Sequence, residues 1–233
     1  MIKAVVFDID GTLVDYLGAQ RAGLEKLYAV LEEAQRVSLD AFVAIWRRED
    51  ARYWQQYQAG EITFVQQRLF RVKAVFESLG ECLMDEQAMI IFRTYLAAYE
   101  ASWKLYDDVL PCLDALSGYR LAVISNGDSG QQRRKLERTG IASRFESVVI
   151  SGDLGVYKPH PEIFQRSLQE LGVAAEEAVY IGDDLEADAL GAQGVGMRAI
   201  WLAREGYVGD PADFPVPVVG SLSQVIRAMT ELE

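Results

Sequence analysis

Near the start of the chain, nine residues read Ala4-Val5-Val6-Phe7-Asp8-Ile9-Asp10-Gly11-Thr12. Four apolar residues without alternation indicate a short strand buried on both faces, as in a parallel sheet. Because residues two apart on an extended chain point the same way, we expect the carboxylates of Asp8 and Asp10 to converge on one small volume. Two such anions repel each other unless a cation joins them or one is protonated.

Four further apolar runs predict the rest of a parallel sheet. They cover Leu121 to Ile124, Val148 to Ile150, Ala178 to Ile181 and Arg198 to Leu202. Helical patterns lie between them, one capped by Ser129 and running toward Gly140, another running from Pro161 toward Gly172. This alternation predicts right-handed βαβ units and a doubly wound, Rossmann-like parallel sheet of the α/β class.

The stretch between the first and second strands has a different character. It contains no proline, and apolar residues such as Leu24, Leu27 and Leu31 recur at helical spacing. We therefore predict a helical bundle over residues 16–106. This bundle is inserted into an α/β core formed by residues 1–15 and 107–233.

Composition excludes several classes of function. The chain has 233 residues and a formal net charge of −12, which disfavours broad contact with nucleic acid or with an anionic membrane. An acidic protein must bind phosphate locally, with a metal ion or a few placed cations. No apolar run approaches the ~20 residues of a membrane helix, and the apolar start is too short for a signal peptide. We expect a cytoplasmic protein.

The scarcity of histidine and cysteine narrows the chemistry further. His160 is the single histidine, so a Ser-His-Asp triad would have to use it, and a His-rich zinc site is impossible. We expect His160 to lie at a helix end. Cys82 and Cys112 have no ligand-like spacing and are expected to be reduced. Acid–base work would therefore fall to carboxylates.

Polar residues follow the predicted strands at their carboxyl ends, where open parallel sheets bind ligands. The first strand leads to Asp8, the second to Ser125-Asn126-Gly127-Asp128, the third to Lys158, and the fourth to Gly182-Asp183-Asp184. Asp183 would add a third carboxylate to the pair at Asp8 and Asp10. Carboxylates, waters and a substrate phosphate are the oxygen ligands that Mg²⁺ prefers.

These residues resemble the four motifs of the haloacid dehalogenase-like (HAD) hydrolase superfamily, in the same order. The motifs are Asp8 to Thr12, then Ser125, then Lys158, and finally Gly182-Asp183 followed by Asp188. The helical insertion resembles the C1-type cap of the family, so the resemblance covers nearly the whole chain. It implies a phosphatase that requires Mg²⁺ and acts on small phosphorylated metabolites.

The resemblance also implies a role for each residue. Asp8 would attack phosphorus and form an aspartyl-phosphate, Asp10 would act as general acid and base, and Lys158 would neutralise charge on the phosphate and on Asp8. The phosphate-binding set comprises Thr12, Ser125, Asn126 through its backbone, and Lys158. The metal ligands are Asp8, the Asp10 carbonyl and Asp183, with Asp184 or Asp188 in support. Both supporting acids could instead simply begin the following helix.

Three alternatives stay open at this point. A 2-haloacid dehalogenase of the superfamily uses the first aspartate but lacks the second acid, which is present here as Asp10. A phosphomutase shares the whole pattern. A non-catalytic binding protein would be marked by loss of Asp8, Asp10 or Lys158, and none is lost.

The sequence also offers indications of the substrate class. Residues 124–136 resemble members that act on nucleoside monophosphates or acylneuraminate 9-phosphates. The predicted cap carries Arg47, Arg48, Arg52, Tyr53 and Trp54. Either one of these arginines or aromatics reaches the leaving group, or the segment is an amphipathic helix with a solvated basic face and a core-facing aromatic. Linkers near residues 15–18 and 104–109 would let the cap close over the site.

Overall fold

The computed structural model describes residues 1–232, which divide into two compact units. One unit joins Met1–Asp15 to the chain from Lys104 onward, and the other is Tyr16–Trp103. The return to the first unit thus comes slightly before the predicted boundary at residue 106. The reason is that Leu105 already bridges to Val14, and the Tyr106 amide donates to the Leu13 carbonyl at 3.2 Å.

The second unit is helical. Its helices are α1 (Tyr16–Val30), α2 (Leu39–Gln58), α3 (Phe64–Glu77) and α4 (Asp85–Ala101). Helix α1 packs on α4, and α2 packs on α3. Ser38 caps α2, and Thr63 forms a reciprocal capping box with Gln66 at the start of α3. Phe42 and Trp46 are fully buried in the apolar core of this helical unit.

A buried polar cluster interrupts that core. The Arg71 guanidinium pairs with Asp50, which also accepts from the Tyr16 hydroxyl at 2.9 Å and from the Gln20 amide at 3.1 Å. Burial lowers the pKa of Arg71, while nearby tyrosines including Tyr95 oppose this. A buried cation of this kind is tolerated only with such partners.

The first unit contains a parallel sheet. Within residues 1–232 its strands are β1 (Ala4–Phe7), β2 (Arg120–Ser125), β3 (Ser147–Ile150), β4 (Ala178–Gly182), β5 (Arg198–Leu202) and β6 (Val218–Val219). The strand order is β3-β2-β1-β4-β5-β6, and every pairing is parallel. The predicted doubly wound α/β fold is confirmed. Strand β6 was not predicted, because two residues carry no periodic signal.

Helices cover this sheet. They are α5 (Val109–Ala115), α6 (Ser129–Arg138), α7 (Ser151–Leu154), α8 (Pro161–Leu171), α9 (Gly191–Gly194) and α10 (Val225–Leu232). Asp128, rather than the predicted Ser129, caps α6 by accepting from the Gln131 amide at 2.8 Å. His160 caps α8 through a contact of 3.3 Å to the Glu162 amide, as expected of a helix-end residue.

The core of this unit explains why the strand signals are continuous apolar runs. Every residue of β1 is buried, and Val6, Ile124 and Tyr180 belong to one cluster with Phe164 and Leu168 of α8. A strand covered on both faces has no polar positions to alternate with apolar ones. Both cysteines are free. Among residues 1–232, no helix combines the length and the apolarity that crossing a membrane requires.

Candidate active site

The carboxyl ends of β1, β2 and β4 meet at one edge of the sheet. Phe7, the last residue of β1, pairs with Val123 on one side and with Ile181 on the other. The Asp8 amide continues the ladder by donating to the Ile181 carbonyl at 2.9 Å. Backbone pairing therefore fixes where the chain leaves the sheet and turns Asp8 toward the same edge as the end of β4.

A buried lysine lies at the centre of this edge. The Lys158 ammonium donates to Asp8 Oδ1 at 2.5 Å and to Asp188 Oδ1 at 2.6 Å, with the Tyr180 hydroxyl at 3.0 Å and the Ile124 carbonyl at 3.2 Å. Burial lowers the pKa of Lys158, but Asp188 and Asp8 outweigh it and hold that pKa well above its ordinary value. The lysine is therefore a fixed positive charge against the predicted nucleophile.

Asp8 and Asp188, which pair with this cation, form a compact group of three carboxylates with Asp183. One oxygen from each of Asp8, Asp183 and Asp188 lies within 4.8 Å of the others. Burial raises the pKa of Asp8 to about 7, Lys158 lowers it, and Asp188 adds to the rise. One lysine does not balance three carboxylates, so the donor set fits a further hard cation such as Mg²⁺.

Two glycines make this crowding possible. Gly11 has a φ of 84°, and a Cβ at that position would collide with the Asp183 carboxylate. A Cβ at Gly182 would likewise overlap the Asp188 carboxylate. Both glycines of the predicted motifs are therefore needed for the close approach of the acids to the backbone.

Asp10 lies beside this cluster and is held by helix α6. The Lys135 ammonium contacts both Asp10 oxygens, at 2.5 and 2.6 Å, and the Gln132 amide nitrogen contacts Asp10 Oδ2 at 2.7 Å. The same amide nitrogen lies 3.1 Å from the hydroxyl of Ser125, which is buried at the end of β2. The structure thus brings Asp10 and Ser125 together around one side chain.

Three further predicted residues, Thr12, Asn126 and Asp184, use their side chains in contacts within the protein. The Thr12 hydroxyl, predicted to bind phosphate, donates to Asp183 Oδ1 at 3.1 Å. The Asn126 side chain clamps the Lys158 backbone, accepting from its amide at 2.8 Å and donating to its carbonyl at 3.2 Å. Asp184 Oδ1 accepts from two amides at 2.9 Å at the start of the π-helix Leu185–Leu190.

These contacts affect the roles predicted for Asp184 and Asp188 as supporting metal ligands. Helix capping, the alternative considered for Asp184, accounts for that carboxylate. Asp188 contacts Lys158 directly and accepts from the Asp184 amide through its second oxygen at 3.1 Å, so it holds the lysine in place. Phosphate binding by Thr12 and by the Asn126 backbone stays a prediction.

In the helical unit, the basic residues of α2 are engaged by their neighbours. Arg47 donates to the Gln20 side chain at 2.9 Å. Arg48 and Arg52 pair with Glu49 at 2.7 and 3.5 Å, and both remain largely exposed. These contacts are those of an amphipathic helix with a solvated basic face. Contact of these residues with a leaving group stays a prediction.

Sequence reasoning assigned no role to three residues of the site. Tyr180 is buried within β4, and its hydroxyl contacts Lys158, the Ile124 carbonyl and Asp188. Gln132 and Lys135 lie one helical turn apart on α6, and both are buried. Several basic residues lie close together on this helix, and no local sequence signal marks Lys135 as the one that is buried.

The sequence matches a known family of hydrolases over most of its length. The model of the haloacid dehalogenase-like hydrolase family matches residues 2–196. The chain therefore belongs to that family of hydrolases, as the four motifs predicted.

Its relatives include named phosphatases. The glyceraldehyde 3-phosphate phosphatase of Methanopyrus kandleri is 30% identical over 243 residues, covering 99% of this chain and 100% of that protein. The N-acylneuraminate-9-phosphatase of Homo sapiens is 28% identical over 210 residues, covering 89% and 85%. Among solved structures, the HAD hydrolase YfnB from Bacillus subtilis, crystallised bound to magnesium, superposes with a TM-score of 0.81 at 23% identity over 97% of both chains.

Proposed function

We propose that this chain is a phosphomonoesterase that acts on small phosphorylated metabolites through an aspartyl-phosphate on Asp8. The observation that carries the proposal is the placement of the Lys158 ammonium between Asp8 and Asp188, at 2.5 and 2.6 Å. Phosphoryl transfer depends mainly on positioning and on charge stabilisation, and this lysine supplies both at the nucleophile. The named phosphatases among the relatives support the same reaction.

In the first step, a carboxylate oxygen of Asp8 attacks phosphorus as the bond from phosphorus to the leaving oxygen breaks. Asp10 gives its proton to that oxygen, so the substrate departs as an alcohol. Lys158 compensates charge on the phosphoryl oxygens, and the Ser125 hydroxyl offers a hydrogen bond to one of them. The product on the enzyme is the Asp8 acyl phosphate.

The second step reverses the role of Asp10. Its carboxylate takes a proton from water while the water oxygen attacks phosphorus, and the bond from phosphorus to Asp8 breaks. Inorganic phosphate leaves, Asp8 regains its carboxylate, and Asp10 regains its proton. The presence of Asp10 also argues against the 2-haloacid dehalogenase alternative.

The metal that we propose is Mg²⁺. Asp8, Asp183 and the Asp10 carbonyl would hold it, because both of these carboxylates already belong to the compact acidic cluster. When bound, it would neutralise phosphoryl charge and screen the carboxylates from one another. Asp188 would contribute through Lys158, with which it already pairs.

The substrate class follows from the relatives only at a coarse level. One named relative acts on a triose phosphate and another on an acylneuraminate phosphate, so kinship does not fix the carbon skeleton. We propose a sugar phosphate or a nucleoside monophosphate, with the helical unit acting as the cap that selects it and closes over the site. A phosphomutase remains the second candidate, since it would use the same residues.

Phosphate release from a panel of sugar phosphates, nucleotides and p-nitrophenyl phosphate tests this proposal, with Mg²⁺ or with EDTA. Asp8→Asn should abolish release, whereas the matched control Asp114→Asn should not, because Asp114 forms an exposed ion pair with Arg144. Metal-independent release, or release that survives Asp8→Asn, would refute the mechanism. Isomerisation of a sugar phosphate without net phosphate release would favour the mutase.

A further inference from the structure

Helix α6 presents two buried polar side chains to the site. Gln132 and Lys135 are 3% and 1% exposed, and neither belongs to the four family motifs. Burying an ammonium group is costly unless a partner compensates its charge. The partner here is Asp10, whose two carboxylate oxygens lie 2.5 and 2.6 Å from the Lys135 nitrogen.

Gln132 fixes the same carboxylate from a second direction. Its amide nitrogen lies 2.7 Å from Asp10 Oδ2, 3.1 Å from the Ser125 hydroxyl and 3.4 Å from the Asn126 carbonyl. The nitrogen must face Asp10, because the amide oxygen in its place would oppose a carboxylate with another acceptor. The amide also needs Gly127, since a Cβ there would lie 2.9 Å from the Gln132 nitrogen.

Together the two side chains restrict the Asp10 carboxylate more than a surface ion pair would. Lys135 contacts both carboxylate oxygens. Gln132 contacts one of them and also contacts the hydroxyl of Ser125, which is proposed to bind phosphate. Proton transfer requires an acid within hydrogen-bond reach of the leaving oxygen, and a small misplacement costs a large part of the rate. A carboxylate on a turn would otherwise rotate about two side-chain bonds.

We propose that Gln132 and Lys135 are positioning residues that hold the Asp10 carboxylate in the orientation needed for proton transfer. This inference rests on the proposed function, in which Asp10 protonates the leaving oxygen and then activates water. It predicts that loss of either side chain impairs proton transfer while leaving nucleophilic attack by Asp8 largely intact.

Leaving groups of different basicity separate these two effects. An alkyl phosphate needs a proton on its leaving oxygen, whereas p-nitrophenolate leaves without one. For Lys135→Met, kcat/KM should fall about 100-fold or more for an alkyl phosphate and less than about 10-fold for p-nitrophenyl phosphate. Because kcat/KM reports steps up to phosphoryl transfer, the shared second step does not blur this comparison. The value of kcat should fall for both substrates, since water activation also needs Asp10.

Arg133→Met is the matched control. It removes the same charge from the same helix, but Arg133 is exposed and pairs with Asp153 at 2.9 Å. Gln132→Leu provides a second variant should Lys135→Met fold poorly, and it should show the same preference for the better leaving group. Crystal structures of wild type and variant give a reading independent of turnover, and we expect the Asp10 carboxylate to rotate in the variant.

Equal loss on both substrates, or an unmoved Asp10 carboxylate in the variant crystals, would overturn the inference. Failure of the proposed function looks different, because activity would then survive Asp8→Asn. In that case the crystal comparison still decides whether Gln132 and Lys135 position Asp10.

Discussion

The acidic cluster predicts that Asp8, the proposed nucleophile, lowers the stability of the metal-free protein. Burial raises the pKa of Asp8 from 3.8 to about 7, although Lys158 opposes the rise. In the unfolded chain the same carboxyl ionises near its ordinary value. Asp8→Asn keeps the shape and the acceptor oxygen of the side chain but removes the charge, so we expect the variant to be more stable than wild type at neutral pH.

The sign and the size follow from proton linkage. Between pH 3.8 and about 7, the folded protein keeps the Asp8 proton while the unfolded chain loses it, so the free energy of unfolding falls as pH rises. Over this range the free energy of unfolding falls by about 1.4 kcal/mol for each pH unit. The stability advantage of Asp8→Asn should therefore be about 2 to 3 kcal/mol larger at pH 8 than at pH 5.

Urea denaturation in EDTA at pH 5, 6, 7 and 8 measures this difference. Trp201 reports on the first unit, because its indole donates to the Asp183 carbonyl at 2.8 Å and its ring packs on Phe214. Asp114→Asn is the control and should show no pH-dependent difference from wild type. An advantage that is absent, or that is the same at pH 5 and pH 8, would refute the reasoning from burial of Asp8.

Further predictions concern the metal, the helical unit and the close backbone approach. Mg²⁺ at one hundred times its Kd should stabilise wild type by about 2.7 kcal/mol in a thermal-shift titration, and Asp183→Asn should abolish most of this gain. Asp50→Ala leaves the buried Arg71 without its carboxylate and should cost about 3 to 5 kcal/mol in urea, whereas the exposed Asp40→Ala should cost little. Gly182→Ala displaces Asp188 and should lower kcat about 100-fold, whereas Gly194→Ala, with nothing within 4 Å, should leave it unchanged.

Much of the fold was predictable because its signals are local. The buried strand Ala4–Phe7 reads as an unbroken apolar run, and Arg198–Leu202 reads as four apolar residues after an arginine. The structure has both strands with the predicted bounds. Helix α8 begins at Pro161 and is followed by Gly172 at a φ of 61°. The short strand Val218–Val219 escaped prediction because its place depends on pairing with β5, which is a long-range property.

The candidate site was predictable only where it lies on strand ends. Asp8 and Asp183 follow β1 and β4 directly, so sheet register alone places them at one edge. Lys135 sits in the middle of a helix with several other basic residues, and nothing local separates it from exposed Arg133. Only the packing of α6 against the strand ends decides which of the two faces Asp10.

The position of the buried lysines explains how a chain with a net charge of −12 is equipped for a phosphate ester. A long-range field of this sign repels an anionic substrate, and salt screens the field beyond about 10 Å. Lys158 and Lys135 are each buried and in contact with a carboxylate of the site, so their charges act over a few ångströms where solvent screens them least. Because each lysine is already paired with a carboxylate, the local net charge near Asp8 stays negative. A bound cation would offset this excess negative charge.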